Sequence, residues 1–261
     1  MKLLVINADD FGFTRDVNAG IIEAHERGIL TSTTLMALGD AFDDAVRLAR
    51  ERPSLDVGCH LTLVQGPGLP DGIPGLLRAL ASRRISPYEQ CRMQIERILN
   101  AGIRPTHLDT HKHAHLLPPV LDAVARLSQE FGIPWVRRPF DLPLTGFGAP
   151  LALRAVSRSL GLVRGRFHRV LSRYGCRTTD HFAGFQLTGR FHTAELVALI
   201  RALPEGATEF MCHPGRCGAE LLAARTRLKD SRKRELDALT SAEVRGALSE
   251  AGVRTAAFTD L

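Results

Sequence analysis

The sequence predicts an α/β protein with parallel strands, and an irregular (β/α) barrel is our first choice of architecture. Short apolar or β-branched runs alternate with helix-periodic segments along the whole chain of 261 residues, which indicates parallel strands joined by helical crossovers. No internal repeat, low-complexity tract or linker divides the chain. We therefore predict a single domain over residues 1–261, with an open doubly wound sheet as the second choice.

The first predicted strand is the apolar run at residues 2–7, and Gly12 then allows a sharp turn into a helix at 15–27. A β-branched run at 33–38 and an alternating run at 56–63 follow as strands. Ser86 and Pro87 are typical of a helix cap and a first helical turn, which predicts a helix at 87–100. The remaining strands are expected at 107–110, 134–138, 208–212 and 253–257, and the remaining helices at 40–50, 74–83, 118–131, 193–203, 231–238 and 241–251.

Residues 140–185 interrupt this alternation, and we interpret them as a basic insertion with two short helices. The stretch 151–179 contains seven arginines and no acidic residue, with leucines and valines between them, in a chain of net charge +6. A basic amphipathic segment of this kind is usually a solvated helical face, and its alternative is a contact with an anionic membrane. Nucleic acid is not a predicted partner, because aromatic residues make up only 6% of the chain and no recognition motif is present.

Cysteine usage and the N-terminal sequence predict a cytoplasmic protein. The five cysteines are scattered and form no Cys-x-x-Cys pair, which fits reduced thiols better than a disulfide framework or a zinc ribbon. The first apolar run is too short for a signal peptide, and no run approaches the roughly 20 apolar residues of a membrane-spanning helix. A peripheral position at the inner membrane face is the alternative that the basic segment suggests, and a homo-oligomer is left open.

The densest polar motif is the nine-residue run from His107 to His115, which contains four of the ten histidines. Its odd positions are His107, Asp109, His111, His113 and His115, and an extended strand would direct all five toward one face. Adjacent imidazoles fill a core poorly, so the pattern indicates metal binding or acid–base chemistry. A solvated polar loop is the alternative interpretation.

Three further polar motifs lie at the carboxyl ends of predicted strands: Asp9-Asp10, His60 and His213. In a parallel barrel these ends meet at one face, which holds the active site. One carboxylate with two imidazoles is a common catalytic metal shell that leaves coordination positions open. We expect one of the two aspartates, His60 and one histidine of the 107–115 run to bind the metal. The other aspartate would then act as a base, and His213 as an acid.

The motifs resemble those of the YdjC-like carbohydrate deacetylases over about residues 3–258. The similar stretches are Asn-Ala-Asp-Asp-Phe-Gly (7–12), Thr-Ser-Thr-Thr (31–34), Gly-Cys-His-Leu (58–61), Pro-Thr-His-Leu-Asp-Thr-His-Lys-His-Ala-His (105–115) and Met-Cys-His-Pro (211–214). The resemblance implies an irregular (β/α) barrel of the glycoside hydrolase/deacetylase type. It also implies a divalent metal and the hydrolysis of an N-acetyl group on an amino sugar.

Carried over to this sequence, the resemblance implies that Asp10, His60 and His111 bind the metal, that Asp9 is the base and that His213 is the acid. Two imidazoles favour a zinc-like ion on ligand softness, whereas family members are often described with magnesium. Both metals are therefore kept as candidates.

The resemblance further implies that Asp109, His113 and His115 support the ligands or line the substrate site. Arg137 resembles an arginine that orients the catalytic carboxylate, with a surface charge as the alternative. The chain departs from the family at Lys112, where three consecutive histidines are common. We expect Lys112 to lie on the alternate face, so that the metal ligands are kept and the rim of the site changes.

Residues 140–185 match the oligosaccharide enzymes poorly and look more like a branch associated with hopanoid biosynthesis, in which the amino sugar is attached to a polycyclic lipid. The expected substrate is therefore an N-acetylated amino sugar, free or within a glycolipid. Soluble chitooligosaccharides are the alternative substrate. A hydrolase of a glycosidic or phosphate ester bond is an alternative activity, and a non-catalytic sugar- or lipid-binding protein is an alternative class.

Overall fold

The computed structural model describes residues 1–143 and 150–261, and its strands form one parallel sheet. The strands are β1 (Lys2–Phe11), β2 (Ser32–Leu35), β3 (Asp56–Leu61), β4 (His107–Thr110), β5 (Trp135–Val136), β6 (His181–Ala183), β7 (Gly206–Cys212) and β8 (Val253–Thr255). Their spatial order is β5-β4-β3-β2-β1-β7-β6, and β8 pairs with β1 outside this order. The predicted parallel α/β class is confirmed.

Helices connect the strands, and all except the short one at Ala219–Ala223 fall in segments predicted as helical. They are α1 (Arg15–Arg27), α2 (Phe42–Arg50), α3 (Gly72–Ala81), α4 (Pro87–Asn100), α5 (Pro118–Phe131), α6 (Leu151–Leu160), α7 (Arg164–Arg173), α8 (Thr193–Ala202), α9 (Ala219–Ala223), α10 (Asp230–Thr240) and α11 (Ala242–Glu250). Ser86 caps α4 by accepting a hydrogen bond from the Glu89 amide, and Pro87 occupies the first turn. None of the described helices is long and apolar enough to cross a bilayer.

Strand β1 lies inside the sheet, with paired neighbours on both edges. Its apolar run is buried almost throughout, as in parallel sheets that are covered on both faces. It pairs with β7 in continuous register from Lys2–Gly206 to Ala8–Cys212. On its other edge, β8 pairs with the first residues of β1, and β2 pairs with the last ones. The edge regions are linked by isolated parallel bridges, Trp135 with Arg177 and Asp141 with Phe182, which complete the irregular barrel.

The register brings the carboxyl ends of neighbouring strands together. His60 in β3 is the pairing partner of Asp109 in β4. On the other side of the barrel, Ala8 in β1 pairs with Cys212 in β7. Asp9 and His213 therefore follow directly after two paired residues, and both lie at the same end of the sheet as His60.

The structure differs from the sequence predictions in two places near this end. Strand β6 was not predicted, since its three residues follow the basic segment and are too few to show a period. Strand β4 ends at Thr110, and residues His111–Leu116 form a 3-10 helix in which Lys112 and His113 have left-handed φ angles of 56° and 51°. Of the predicted basic insertion, residues 144–149 lie outside the described residues.

Candidate metal centre and active site

The end of β1 carries two adjacent aspartates whose backbone departs from a regular strand. The pairing of β1 with β2 shifts register between Ala8 and Phe11, and Asp10 within this shift has a φ of 70°. Neighbouring residues on a regular strand point to opposite faces, and a bulge re-aims one of them. Both Asp9 and Asp10 consequently face the same cavity.

Three ligand atoms from three different strand ends converge beside this bulge. The Nε2 atom of His60 lies 3.4 Å from Asp10 Oδ1, and the Nδ1 atom of His111 lies 3.3 Å from the same oxygen. The two imidazole nitrogens are 3.2 Å apart. An ion bound tetrahedrally at about 2.0–2.1 Å holds its ligand atoms about 3.3 Å apart. Carboxylate and imidazole donors at this spacing fit one divalent metal ion.

The carboxylate oxygen at the centre of this group accepts no well-aligned hydrogen bond from the described residues. Asp10 is buried and its Oδ1 atom is unpartnered among the described residues, although buried carboxylate oxygens normally accept hydrogen bonds. A second group, Asp9, His60 and Asp109, is also compact enough to hold an ion. In that second group, however, the carboxylates of Asp9 and Asp109 are both already paired with Arg137. The unpartnered oxygen therefore favours Asp10, His60 and His111 as the ligand set.

Asp109 orients His60 instead of pointing into the ligand group. Its Oδ1 atom accepts a hydrogen bond from His60 Nδ1 at 2.7 Å, and its Oδ2 atom accepts one from the Thr34 hydroxyl at 3.2 Å. This bond fixes the imidazole tautomer, so that Nε2 is the nitrogen that faces Asp10. Carboxylate–histidine pairs of this kind commonly hold the imidazole ligands of metal sites.

The charges around His60 determine its protonation. Burial alone would lower its pKa, but the carboxylates of Asp109 and Asp9, together with Asp10, raise the pKa to about 9. In the metal-free protein the imidazole therefore carries a positive charge at neutral pH. A metal cation would replace that charge among the same carboxylates.

Arg137 is buried at the base of the site and binds three carboxylates. Its two terminal nitrogens donate to Asp9 in a bidentate pair at 2.7 and 2.8 Å. It also pairs with Asp109 at 2.6 Å, and its Nε donates to Glu209 Oε1 at 2.7 Å. Although burial alone would raise the pKa of Asp9, this guanidinium holds it well below its usual range. The surface-charge alternative for Arg137 does not fit a side chain that is 1% exposed.

His213 faces Asp9 from the end of β7. Its Nε2 atom lies 3.8 Å from Asp9 Oδ2, and its backbone amide donates to Glu235 in α10 at 2.6 Å. Burial lowers the pKa of His213 to about 4, against the opposing charges of Asp9 and Asp10. The imidazole is therefore neutral at neutral pH and can exchange a proton with a nearby acid.

Arg232 in α10 binds the second carboxylate oxygen of Asp10. The side chain is 1% exposed, and its Nη2 donates to Asp10 Oδ2. Burial would raise the pKa of Asp10, but the charge of Arg232 and the neighbouring imidazoles hold it well below the usual range. Asp10 is thus ionised and presents its other oxygen to the two histidines.

The remaining histidines of the 107–115 run do not share one face. His107 stacks on Phe258 with ring centroids 3.9 Å apart and belongs to neither of the two compact ligand groups. His115 donates through Nε2 to the Arg137 carbonyl at 3.0 Å, and its Nδ1 accepts a hydrogen bond from the Thr110 hydroxyl at 2.6 Å. His113 lines the cavity. The expectation that all five odd residues point the same way is wrong, because the chain leaves the extended conformation after Thr110.

The site opens into a cavity of about 800 Å³. Asp9, Asp10, His111, His113 and His213 contribute to its polar base. One wall comes from α6 and is apolar, with Ala152, Leu153 and Val156. The rim carries several cations, including Lys112.

No sequence motif pointed to Glu209, Arg232 or Glu235, although all three are buried beside the site. Glu209 is the one charged residue of the strand predicted at 208–212, and the helix predicted at 231–238 is rich in charged residues. A signal was present in α10, since Arg232 and Glu235 fall at helical spacing with Leu236 and Leu239. A buried helical face interrupted by two opposite charges indicates that those charges are paired inside the protein.

Comparisons with known proteins agree with this arrangement. The family model of the YdjC-like proteins matches residues 3–250. A carbohydrate deacetylase of Brevibacillus brevis is 33% identical, covering 99% of both chains, and a chitooligosaccharide deacetylase of Salmonella typhimurium is 30% identical, covering 100% of this chain and 99% of the other. A crystal structure from Enterococcus faecalis, named a putative cellobiose-phosphate cleavage protein, superposes with a TM-score of 0.76 at 27% identity and covers 99% of this chain and 98% of its own. The chain belongs to the YdjC-like protein family.

Proposed function

We propose that the protein is a metal-dependent carbohydrate N-deacetylase, which hydrolyses the acetamide of an N-acetylated amino sugar. The observation that carries the proposal is the unpartnered Oδ1 atom of Asp10 beside His60 and His111, with Asp9 and His213 at the same cavity. The names of the two relatives support the substrate class. Amide hydrolysis needs a polarised carbonyl, an activated water and a proton for the departing amine, and this group of residues has the chemistry for each.

Asp10, His60 and His111 would hold the ion. Asp9, whose pKa is held well below normal by Arg137, is a weak base and can accept a proton only from a water of strongly lowered pKa. A bound divalent ion supplies such a water and a Lewis acid for the carbonyl oxygen.

Asp9 and His213 would move the proton. Asp9 takes it from the attacking water, and the amine leaves with a proton when the carbon–nitrogen bond breaks. The imidazole of His213 is neutral before the reaction, so the proton that it delivers must arrive during turnover. Asp9 Oδ2 and His213 Nε2 lie 3.8 Å apart, so a transfer from the base to the departing nitrogen through His213 would require the two groups to approach each other or to share a bridging water.

Zinc is the metal that we propose. The three ligand atoms lie 3.2–3.4 Å apart, whereas an octahedral magnesium ion with bonds of about 2.0–2.1 Å would bring neighbouring ligand atoms to about 2.9 Å. Two imidazole nitrogens also suit zinc better than magnesium.

A glycolipid is the second candidate substrate, and the apolar wall of the cavity favours it. Ala152, Leu153 and Val156 of α6 form an apolar wall of the cavity. A sugar has few apolar atoms to place against such a wall. An amino sugar attached to a polycyclic lipid of the hopanoid kind would place its lipid against this wall.

The test is to incubate zinc-loaded protein with N-acetylglucosamine oligosaccharides and with N-acetylglucosaminyl lipids, and to measure acetate release and the mass of each product. We expect one acetyl group to be lost from at least one substrate, and activity to disappear on chelation and return with zinc. Asp9→Asn, a nearly isosteric change, should bind zinc without releasing acetate. New reducing ends without acetate would instead indicate a glycosidase. Substrate binding without any product would indicate a binding protein.

A further inference from the structure

The start of the basic segment holds the densest group of exposed large hydrophobic side chains among the described residues. Leu151 is 80% exposed and Leu162 is 88% exposed. Val156, between these two leucines, and Val163, directly after Leu162, are also exposed, while α6 buries none of its residues. Eight large hydrophobic side chains are exposed among the described residues, and four of them fall within these thirteen positions. Single exposed leucines are common, but a cluster of them marks an interaction surface.

The same surface carries positive charge that no acidic side chain neutralises. Arg158, Arg164, Arg166 and Arg169 are exposed, and none forms an ion pair with a described residue. The sequence has no Asp or Glu between positions 151 and 179. A partner for this face must therefore supply negative charge as well as an apolar phase.

Helix α6 connects this surface with the active-site cavity. Ala152, Leu153 and Val156 line the cavity. Leu151, Ala155 and Arg158, which follow one another at spacings of four and three residues, are exposed. Whatever binds the exposed side of α6 therefore lies next to the entrance used by the substrate.

We propose that the docking surface, made of Leu151, Leu162 and Val163 with Arg158, Arg164 and Arg166, binds an anionic lipid bilayer. The guanidinium groups meet the phosphates of the headgroups, and the three aliphatic side chains enter the boundary with the acyl chains. Basic and aliphatic side chains that are exposed together within one stretch of sixteen residues fit this partner, because a bilayer offers both phases at one depth. This proposal is separate from the proposed activity, because it concerns where the protein binds and not which reaction the site catalyses.

The experiment is sedimentation of the full chain with two kinds of vesicle, phosphatidylcholine alone and phosphatidylcholine mixed with phosphatidylglycerol. We expect binding to the anionic vesicles that weakens as salt is added. Removing one arginine near a charged membrane weakens binding about fivefold, so Arg158→Gln with Arg166→Gln should weaken it about 25-fold. Leu151→Ser with Leu162→Ser should weaken it at least about tenfold.

Matched controls change the same residue types elsewhere on the surface. Leu77→Ser with Leu222→Ser, and Arg83→Gln with Arg84→Gln, alter exposed positions outside the segment and should leave vesicle binding as in the parent. All variants should release acetate from a soluble oligosaccharide at the parental rate, which separates failure of docking from failure of the proposed activity.

Three results would overturn the proposal. The first is absence of binding to phosphatidylglycerol vesicles at low salt. The second is an equal loss of binding in the control variants. The third is that the docking-surface variants lose binding to a short RNA, or lose self-association in sedimentation velocity, while vesicles are not bound by the parent protein.

Discussion

Zinc binding should be coupled to the release of a proton from His60. In the metal-free protein, burial lowers the pKa of His60, but Asp109 and other carboxylates raise it to about 9. The Nδ1 atom already donates to Asp109 at 2.7 Å, so the additional proton resides on Nε2, the nitrogen that faces Asp10. A metal ion and this proton compete for the same lone pair.

The size of the effect follows from the pKa. At pH 7, about two units below the pKa, removal of the proton costs about 3 kcal/mol, since one pKa unit corresponds to about 1.4 kcal/mol. We expect the apparent affinity for zinc to rise about tenfold per pH unit between pH 6.5 and 8.5 and to flatten above pH 9. If His60 had an ordinary imidazole pKa near 6.5, the apparent affinity for zinc would stop rising above about pH 7.5.

The assay is isothermal titration calorimetry at pH 7.5 in buffers of different ionisation enthalpy, together with competition against a fluorescent chelator across the pH range. Close to one proton should be released per zinc ion. Asp109→Asn removes the largest influence that raises the pKa, so the plateau should move to lower pH, while Lys112→Asn, at an exposed position beside His111, should keep the parental curve. Equal affinities at pH 6.5 and 8.5 without proton release would refute the assignment of His60 as a protonated ligand.

Four further predictions follow from the same contacts. His111→Ala should abolish tight zinc binding and acetate release, measured by elemental analysis, and an unchanged metal:protein ratio would exclude it as a ligand, with Lys112→Asn as the control. Arg137→Met leaves three buried carboxylates without their cation, so unfolding in urea should show a loss of about 3–5 kcal/mol, and a near-parental midpoint would contradict the pairing. Arg232→Gln removes the side chain that binds Asp10 and should weaken zinc binding about 10–100-fold in a protein that folds like the parent. An unchanged zinc affinity would show that this contact does not orient Asp10. The metal-free protein should lose about 3 kcal/mol of unfolding free energy between pH 6.5 and 9. The raised pKa of His60 stabilises the folded state fully below pH 6.5, and this stabilisation is lost as the pH rises through 9. A thermal unfolding midpoint that does not change over this pH range would contradict the raised pKa.

The alternation of strands and helices could be read from the sequence because it depends on local patterns. Apolar runs such as that of β1, and the Ser86–Pro87 helix start, lie where periodicity and capping chemistry predict them. The strand at His181–Ala183 was missed, since three residues pair with β7 only through the tertiary fold. Its conformation is set by a neighbour distant in sequence.

The sequence also predicted that polar groups at strand ends would meet, because parallel strands place their carboxyl ends on one side. It could not predict how Asp9 and Asp10 both reach the cavity. That depends on the bulge between Ala8 and Phe11, which is a feature of the pairing between β1 and β2. The left-handed turn at Lys112 and His113 likewise redirects the run after Thr110, against the simple period of two.

By itself, the sequence determined the fold class, the order of the elements and which chemical groups lie near strand ends, since these follow from side-chain periodicity and chain direction. The tertiary structure alone decided which charges are paired. Arg137 and Arg232 are far in sequence from the carboxylates that they hold, and only burial makes those pairs matter, because an unpaired charge is costly where water is excluded. The same burial sets the protonation of His60, whose pKa the neighbouring carboxylates raise, and Asp10 turns Oδ1 toward the histidines because Arg232 binds its other oxygen.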